Sequence, residues 1–423
     1  MKYKLYSIQQ KIVDDNKEKT GLFMGTGVGK SLTALLLSEG NTLVICPKQQ
    51  KLDGTWEHNN EKFELGKTIT TISKETFRRD WDLLPPFDTV IIDECHNNLG
   101  VSPETKQRKG IQIPKTSQIY ESTYNYLRKH PPKRFYLASA TPIAKPMSLW
   151  GLAKLWGIDW DFYKFRETFY FPSMIGRRTI WIPRKDQATL DRLAENIKKF
   201  GYTGALKDFA DVPEQTHREV HIELSKEQKE ALKKVQQEEA DPLVRRAKER
   251  TIENGILYGK KIEKISDKED KMTKDVEVFP SKKIDYIKER AIEFDKLLIF
   301  AMYSSQIEEI AKALKKEGYT VFTVTGQTKD RATVFTEAEK LDKCIIVAQA
   351  GICEGYRIPS IPCTIYASKS NRYVHFSQSL GRTLDIQHLA KKLYIHLIVK
   401  GGADEKCHKA ILAGKDFEEK TNS

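Results

Sequence analysis

The sequence predicts an α/β protein built from two blocks, each a parallel sheet covered by helices, with an irregular stretch between them. Two observations carry this. Short runs rich in Val, Ile, Leu and Phe alternate with helical stretches, first over residues 21–139 and again over 296–399. A glycine-rich loop, Gly25-Thr-Gly-Val-Gly-Lys-Ser31, stands between the first such run and an apolar helix, the strand–loop–helix order of a parallel unit. At 423 residues the chain has room for two or three domains, and a hydrophobic fraction of 39% supplies their cores.

Taken in order, residues 21–24 are a short strand ending in glycines and 32–37 a buried helix. Residues 42–46 form a strand stopped by Pro47, and 68–72, 89–93 and 134–139 form three more. From Leu149 the pattern changes: Trp150, Trp156, Trp160, Phe162, Phe165, Phe169 and Tyr170 crowd together, and such a stripe is read as packing. A helical insertion is expected over 150–212. Residues 217–224 alternate like a half-buried strand, and 225–239 read as a polar helix. Residues 240–280 are dense in charge and read as a linker or exposed helical hairpin. The runs at 296–301, 320–324, 344–348, 363–367 and 393–399 are the strands of the second block. The expected division is a first lobe over 1–149, the insertion over 150–212, the end of the first lobe with a charged helical linker over 213–279, and a second lobe over 280–423.

Composition narrows the function. Lys and Arg number 71 against 58 Asp and Glu, a formal charge of +13, which favours a polyanionic partner and nucleic acid first. No apolar run reaches the roughly 18–20 residues that span a bilayer. The start, MKYKLYSIQQ, has no apolar signal core, so secretion is not expected; a cytoplasmic location is, with a nuclear one as the alternative, and no membrane partner. Six scattered cysteines without a C-x-x-C pair argue against a disulfide framework or a zinc site.

The glycine-rich loop is the first motif with chemistry. Glycines let main-chain N–H groups turn onto phosphate oxygens, and the following helix adds its dipole. Gly25, Thr26, Gly27, Val28 and Gly29 would cradle the phosphates of ATP. Lys30 is placed for the β- and γ-phosphates and Ser31 for Mg²⁺. The strict G-x-x-x-x-G-K-[ST] form is broken at Met24. The second motif is Val90-Ile-Ile-Asp93-Glu94-Cys95-His96. An apolar strand ending in two carboxylates sets Asp93 where it can hold Mg²⁺ and Glu94 where it can polarise an attacking water.

These residues give the chain a resemblance to the superfamily 2 helicases and translocases. Asp93-Glu-Cys-His96 resembles their DExH box, and Gly27-x-Gly29-Lys30-Ser31 their first motif. Leu137-Ala-Ser139-Ala140-Thr141-Pro142 resembles the third, which implies that Ser139, Ala140 and Thr141 couple hydrolysis to domain movement. The Thr-Pro-Ile and Leu-Trp between Ala138 and Trp150, and Ile72-Ser73-Lys-Glu-Thr-Phe77, are most similar to the Swi/Snf-type branch. Gln9 is positioned like the glutamine that reads adenine. Leu298–Ser304, 346–355 and Gln378-Ser-Leu-Gly381-Arg382 resemble the fourth, fifth and sixth motifs. The resemblance implies two RecA-like lobes. Glu94, Lys30, Arg382 and Gln378 would be catalytic, Gly355 would join the nucleotide contacts, and Lys48, Ser73 and Ser304 would touch nucleic acid.

The sixth motif departs from the family pattern. Its final arginine falls on Asp385, leaving Arg382 to face the γ-phosphate charge. The basic runs Arg177-Arg178, Lys260-Lys261 and Lys282-Lys283 read as solvated faces or further backbone contacts. The expected activity is a monomeric, ATP-driven translocase on duplex or branched DNA. A strand-separating helicase on RNA or DNA, and a weakly hydrolysing clamp, are the alternatives.

Overall fold

Each block of apolar runs forms a six-stranded sheet whose neighbouring strands are all parallel. The computed structural model describes residues 4–143, 145–176, 178–266, 269–352, 356–384, 389–414 and 417. The chain divides into two compact units, Met1–Ala210 and Asp211–Ser423. The α/β class with two parallel sheets is therefore as predicted, and it is consistent with two RecA-like lobes.

The first unit begins with α1 (Ser7–Asp15), β1 (Lys19–Met24), α2 (Lys30–Leu37), β2 (Thr42–Cys46), α3 (Lys48–Leu52), α4 (Thr55–Lys62), β3 (Ile69–Ser73), α5 (Lys74–Asp80) and β4 (Thr89–Ile92). It continues through the hairpin β5 (Val101–Arg108) and β6 (Ile111–Thr116), then α6 (Gln118–Lys129), β7 (Arg134–Ala138), α7 (Pro146–Leu155) and α8 (Phe162–Phe169). A second hairpin, β8 (Tyr170–Ile175) and β9 (Arg178–Pro183), precedes α9 (Gln187–Phe200) and β10 (Gly201–Gly204). Strand order is β10-β1-β7-β4-β2-β3. Strands β2, β4 and β7 are buried along their whole length, as expected of a parallel sheet covered on both faces.

The second unit runs β11 (Gln215–Ile222), α10 (Lys226–Glu238), α11 (Pro242–Glu253), the hairpin β12 (Ile256–Ser266) and β13 (Glu269–Val278), α12 (Lys282–Ala291) and β14 (Lys296–Ala301). Then come α13 (Ser304–Lys316), β15 (Val321–Val324), α14 (Arg331–Lys340), β16 (Cys344–Gln349), β17 (Cys363–Tyr366), α15 (Tyr373–Leu380), β18 (Lys392–Val399) and α16 (Ala403–Leu412). Its strand order is β11-β18-β17-β14-β16-β15.

The structure departs from the sequence reading in four places. The stretch 150–212, expected to be helical, also carries the β8–β9 hairpin and β10. Strand β10 lies close on β1 because Gly201 has no side chain: a Cβ there would run into the Gly21 main chain. The segment 213–279 gives its strand, β11, to the second sheet through an eight-residue pairing with β18, and it holds a β-hairpin where helices were expected. The β5–β6 hairpin was not predicted either. Its turn rests on positive φ at both Lys109 and Gly110, the requirement of a two-residue turn between strands. Lys283, read as part of a solvated run, is buried and bonds Asp404 at 2.7 Å.

The aromatic stripe is packing, as read. Trp150 meets Phe162 edge-on, Trp160 stacks on Phe165, and Trp156 meets Phe200 edge-on, all in the first unit's core. Cys46, Cys95, Cys344, Cys363 and Cys407 are buried and stand outside any disulfide. Among the described residues no helix is long and apolar enough to cross a membrane.

Candidate nucleotide site

Strands β1, β7 and β4 are neighbours, so three loops leave the carboxyl edge of the first sheet side by side, where open α/β sheets bind ligands. Main-chain bonds fix their starts. Gly25 N donates to Gly204 O at 2.8 Å, Ser139 N to Leu22 O at 3.2 Å, and Asp93 N to Ile45 O at 2.9 Å.

The phosphate loop fills the first position. Gly27 (φ 91°) and Gly29 (φ 78°) take the left-handed conformation that glycine enters without steric cost. Gly29 caps α2, and Lys30 is that helix's first residue. The Lys30 ammonium folds back over the loop and donates to Met24 O at 3.0 Å and Gly25 O at 3.1 Å. Thr26 and Ser31 are half-buried and Val28 is fully buried. Gln9 is buried on α1. Its Oε1 accepts from Tyr6 N at 3.0 Å, and its Nε2 donates to Gly29 O at 3.3 Å and Thr33 Oγ1 at 3.2 Å. It braces the loop from behind.

The acidic pair fills the second. Asp93 Oδ1 accepts from Glu94 N at 2.8 Å, and both carboxylates are buried. Glu94 has φ 45° and ψ 50°, a left-handed conformation that costs a non-glycine residue on the order of 1–3 kcal/mol. Burial, then the Glu94 charge, push the Asp93 carboxyl up against the pull of Lys30 and Lys74. Burial also acts on Glu94, but the hydrogen bond from His96 and the charges of Lys30, His96 and Lys74 outweigh it and hold that carboxyl well below the usual range.

Ser139, after β7, fills the third. Its hydroxyl donates to Glu94 Oε2 at 3.3 Å and accepts from Thr141 N at 3.1 Å. His96 Nδ1 lies 3.1 Å from Ser139 Oγ and 3.3 Å from Glu94 Oε2. One His ring nitrogen is thus within hydrogen-bond reach of both the serine hydroxyl and the carboxylate. Ala140 and Thr141 are half-buried beside this link.

The sequence-predicted residues of the first unit thus converge, apart from two. Lys48 is exposed at the start of α3, just past β2. Ser73 is buried, and its hydroxyl caps α5 by accepting from Thr76 N at 3.1 Å. In the second unit, Ser304 is the exposed first residue of α13, and Gln378 is buried on α15. Arg382 follows α15 half-buried, with Nη1 donating to Tyr356 O at 3.1 Å. Gly355, Asp385 and Arg177 lie outside the described residues, and the side chains of Arg178, Lys260 and Lys261 are not described.

Two participants had no role assigned from the sequence. His96 belongs to a quoted motif, but its link to Ser139 crosses 43 residues. Lys74 is buried and its Nζ donates to Glu94 O at 2.6 Å. A lysine opening a helix carries no sequence signal of burial.

The donor set suits a magnesium nucleotide. A serine hydroxyl and a carboxylate are hard oxygen ligands, and Mg²⁺ takes its remaining ligands from water and phosphate. Asp93, buried beside a second carboxylate, is a group that a cation would stabilise.

No protein-family model matches the chain. No curated protein matches it. Among solved structures the chain is similar to the helicase domain of Pyrococcus furiosus Hef, at 14% identity over 95% of this chain and 97% of that one, with a TM-score of 0.48.

Proposed function

We propose that the protein is a nucleic-acid-dependent ATP hydrolase, a superfamily 2 translocase of Swi/Snf-like type that moves on duplex or branched DNA. One observation carries the ATPase reading. The phosphate loop, the Asp93–Glu94 pair and Ser139 leave adjacent strands of one sheet, and hydrogen bonds join Glu94 to Ser139. Lys30 and the loop N–H groups would bind the phosphates, with Ser31 and Asp93 as the protein ligands of Mg²⁺. Held there, the ion would neutralise charge on the phosphates. Glu94 is the acceptor that orients water. It is kept ionised by His96 and nearby lysines, so it is ready to take a hydrogen bond at neutral pH. The Glu94–Ser139–Thr141 chain would report the state of the site to the loop after β7. The excess of basic residues supports a polyanionic track, and phosphate contacts suit movement because they carry no sequence information.

The test is ATPase rate with no nucleic acid, single-stranded DNA, duplex DNA, branched DNA and RNA in parallel, on the parent, Lys30→Ala and Glu94→Gln proteins. Lys30→Ala should weaken ATP binding. Glu94→Gln should keep ATP and lose hydrolysis by about 10²–10⁴-fold. Parental hydrolysis by Glu94→Gln refutes the assignment. Absence of stimulation by every nucleic acid refutes the translocase. ATP binding without phosphate release in the parent marks the clamp instead, and displacement of a strand on forked substrates marks a helicase.

A further inference from the structure

Four non-glycine residues among those described have positive φ: Asn16, Glu64, Glu94 and Lys109. Three are exposed in turns, where left-handed backbone is common. Glu94 is buried, directly after an apolar strand. Such a conformation persists only where the surroundings hold it. The turn's own bond, Asn97 N to Glu94 O at 3.1 Å, closes one side. The Lys74 ammonium also bonds that carbonyl, at 2.6 Å.

Lys74 is well placed to act as a fixed point. It is the first residue of α5, whose start is capped by Ser73 and whose Phe77 is fully buried. Ser122 Oγ donates to Arg78 O at 3.1 Å and ties the same helix to α6. Ser73, just before it, is held in register against Cys46 at the end of β2. Burying an ammonium is costly unless it is bonded and near opposite charge. Here it meets both conditions, with a carbonyl at its tip and Asp93 and Glu94 close by.

We propose that Lys74 is a positioning residue that holds the main chain of Glu94 in its left-handed conformation and so keeps the carboxylate aimed with Ser139 and His96. This rests on the ATPase reading above. Lys74 does not touch the reacting atoms in this assignment. It acts through Glu94.

The experiment uses the full chain with Lys74→Met, which keeps the side chain's length and removes its donors and charge. In nucleotide-free protein, exchange of the Asn97 amide should speed up by about tenfold or more, with global stability falling far less. In steady-state ATPase assays kcat should fall by about tenfold or more while KM for ATP moves by less than about threefold. Combining Lys74→Met with Glu94→Gln should slow hydrolysis no further than Glu94→Gln alone, the non-additivity expected of residues acting as a unit. Unchanged exchange and unchanged kcat overturn the proposal. A raised KM with kcat kept shows a nucleotide ligand instead, and additive losses in the double variant show an independent role; either overturns it. Should Lys74→Met not fold, Lys74→Gln, which keeps a shorter neutral donor, is read in the same way. If the parent itself hydrolyses no ATP, the functional reading has failed, and the exchange measurement still decides whether Lys74 holds Glu94.

Discussion

Replacing Glu253 with glutamine should remove a pH-dependent loss of stability in the second unit. Glu253 ends α11, and its carboxylate caps α16: Oε1 accepts from Ala403 N at 2.9 Å and Oε2 from Asp404 N at 2.8 Å. It is buried, and burial together with the neighbouring Asp404 pushes its carboxyl up to about 7 from an ordinary 4.5. At 1.36 kcal/mol per unit, that difference is about 3 kcal/mol. The folded state binds the proton more tightly than the unfolded chain does. The contribution is therefore fully present below about pH 4.5 and is lost as pH rises through 7. Glutamine stays neutral throughout. Like the protonated parent it keeps one carbonyl acceptor, but its amide nitrogen cannot accept from the second N–H as the acid's hydroxyl oxygen can, so the variant should start about 1–2 kcal/mol less stable at pH 5. The parent should then lose about 2.5 kcal/mol relative to the variant between pH 5 and pH 8, so that the order of stability reverses. Urea unfolding followed by circular dichroism measures the difference. All six tryptophans lie at or before position 181, so tryptophan fluorescence reports on the first unit. A difference that is flat with pH, or that grows as pH rises, refutes the reasoning.

Three other outcomes are expected. Ser139→Ala removes the hydroxyl that donates to Glu94 and receives the Thr141 N–H, and should lower kcat while leaving ATP affinity near the parent's; an unchanged kcat refutes the link. Affinity for duplex DNA should fall steeply as salt rises from about 50 to 200 mM, and a flat response in a binding titration refutes a phosphate-tracking contact. Arg382→Ala should abolish nucleic-acid-stimulated hydrolysis, and Asp385→Arg should preserve or raise it. The reverse pattern in the same ATPase assay would show that the sixth motif has been misaligned.

Much of the candidate site is written in short-range pattern. Gly27, Gly29, Lys30 and Ser31 share one loop, and Asp93 and Glu94 share one strand end, so spacing alone exposes them. The link from Glu94 to Ser139 spans 45 residues, and only the adjacency of β4 and β7 makes it. Gln9 was marked by its place upstream of the loop. That its amide would brace Gly29 and Thr33 depends on how α1 packs on α2.

By itself the sequence determined the α/β class, the strands with continuous apolar runs, and the two motifs at strand ends, because those features depend on periodicity and on residues close together in the chain. The tertiary structure decided the rest. Strand β10 reads Gly-Tyr-Thr-Gly and has no apolar pattern; it pairs with β1, and the missing side chain of Gly201 lets the backbones approach. Strand β11 is largely exposed, and its assignment to the second sheet follows from an eight-residue register with β18. Lys283 and Lys74 are charged residues that look solvated in sequence. Each is buried because distant segments supply its partners: Asp404 and Ala367 O for Lys283, Glu94 O for Lys74. Burial of a charge is settled by partners that meet only after folding, and for that reason local sequence does not announce it.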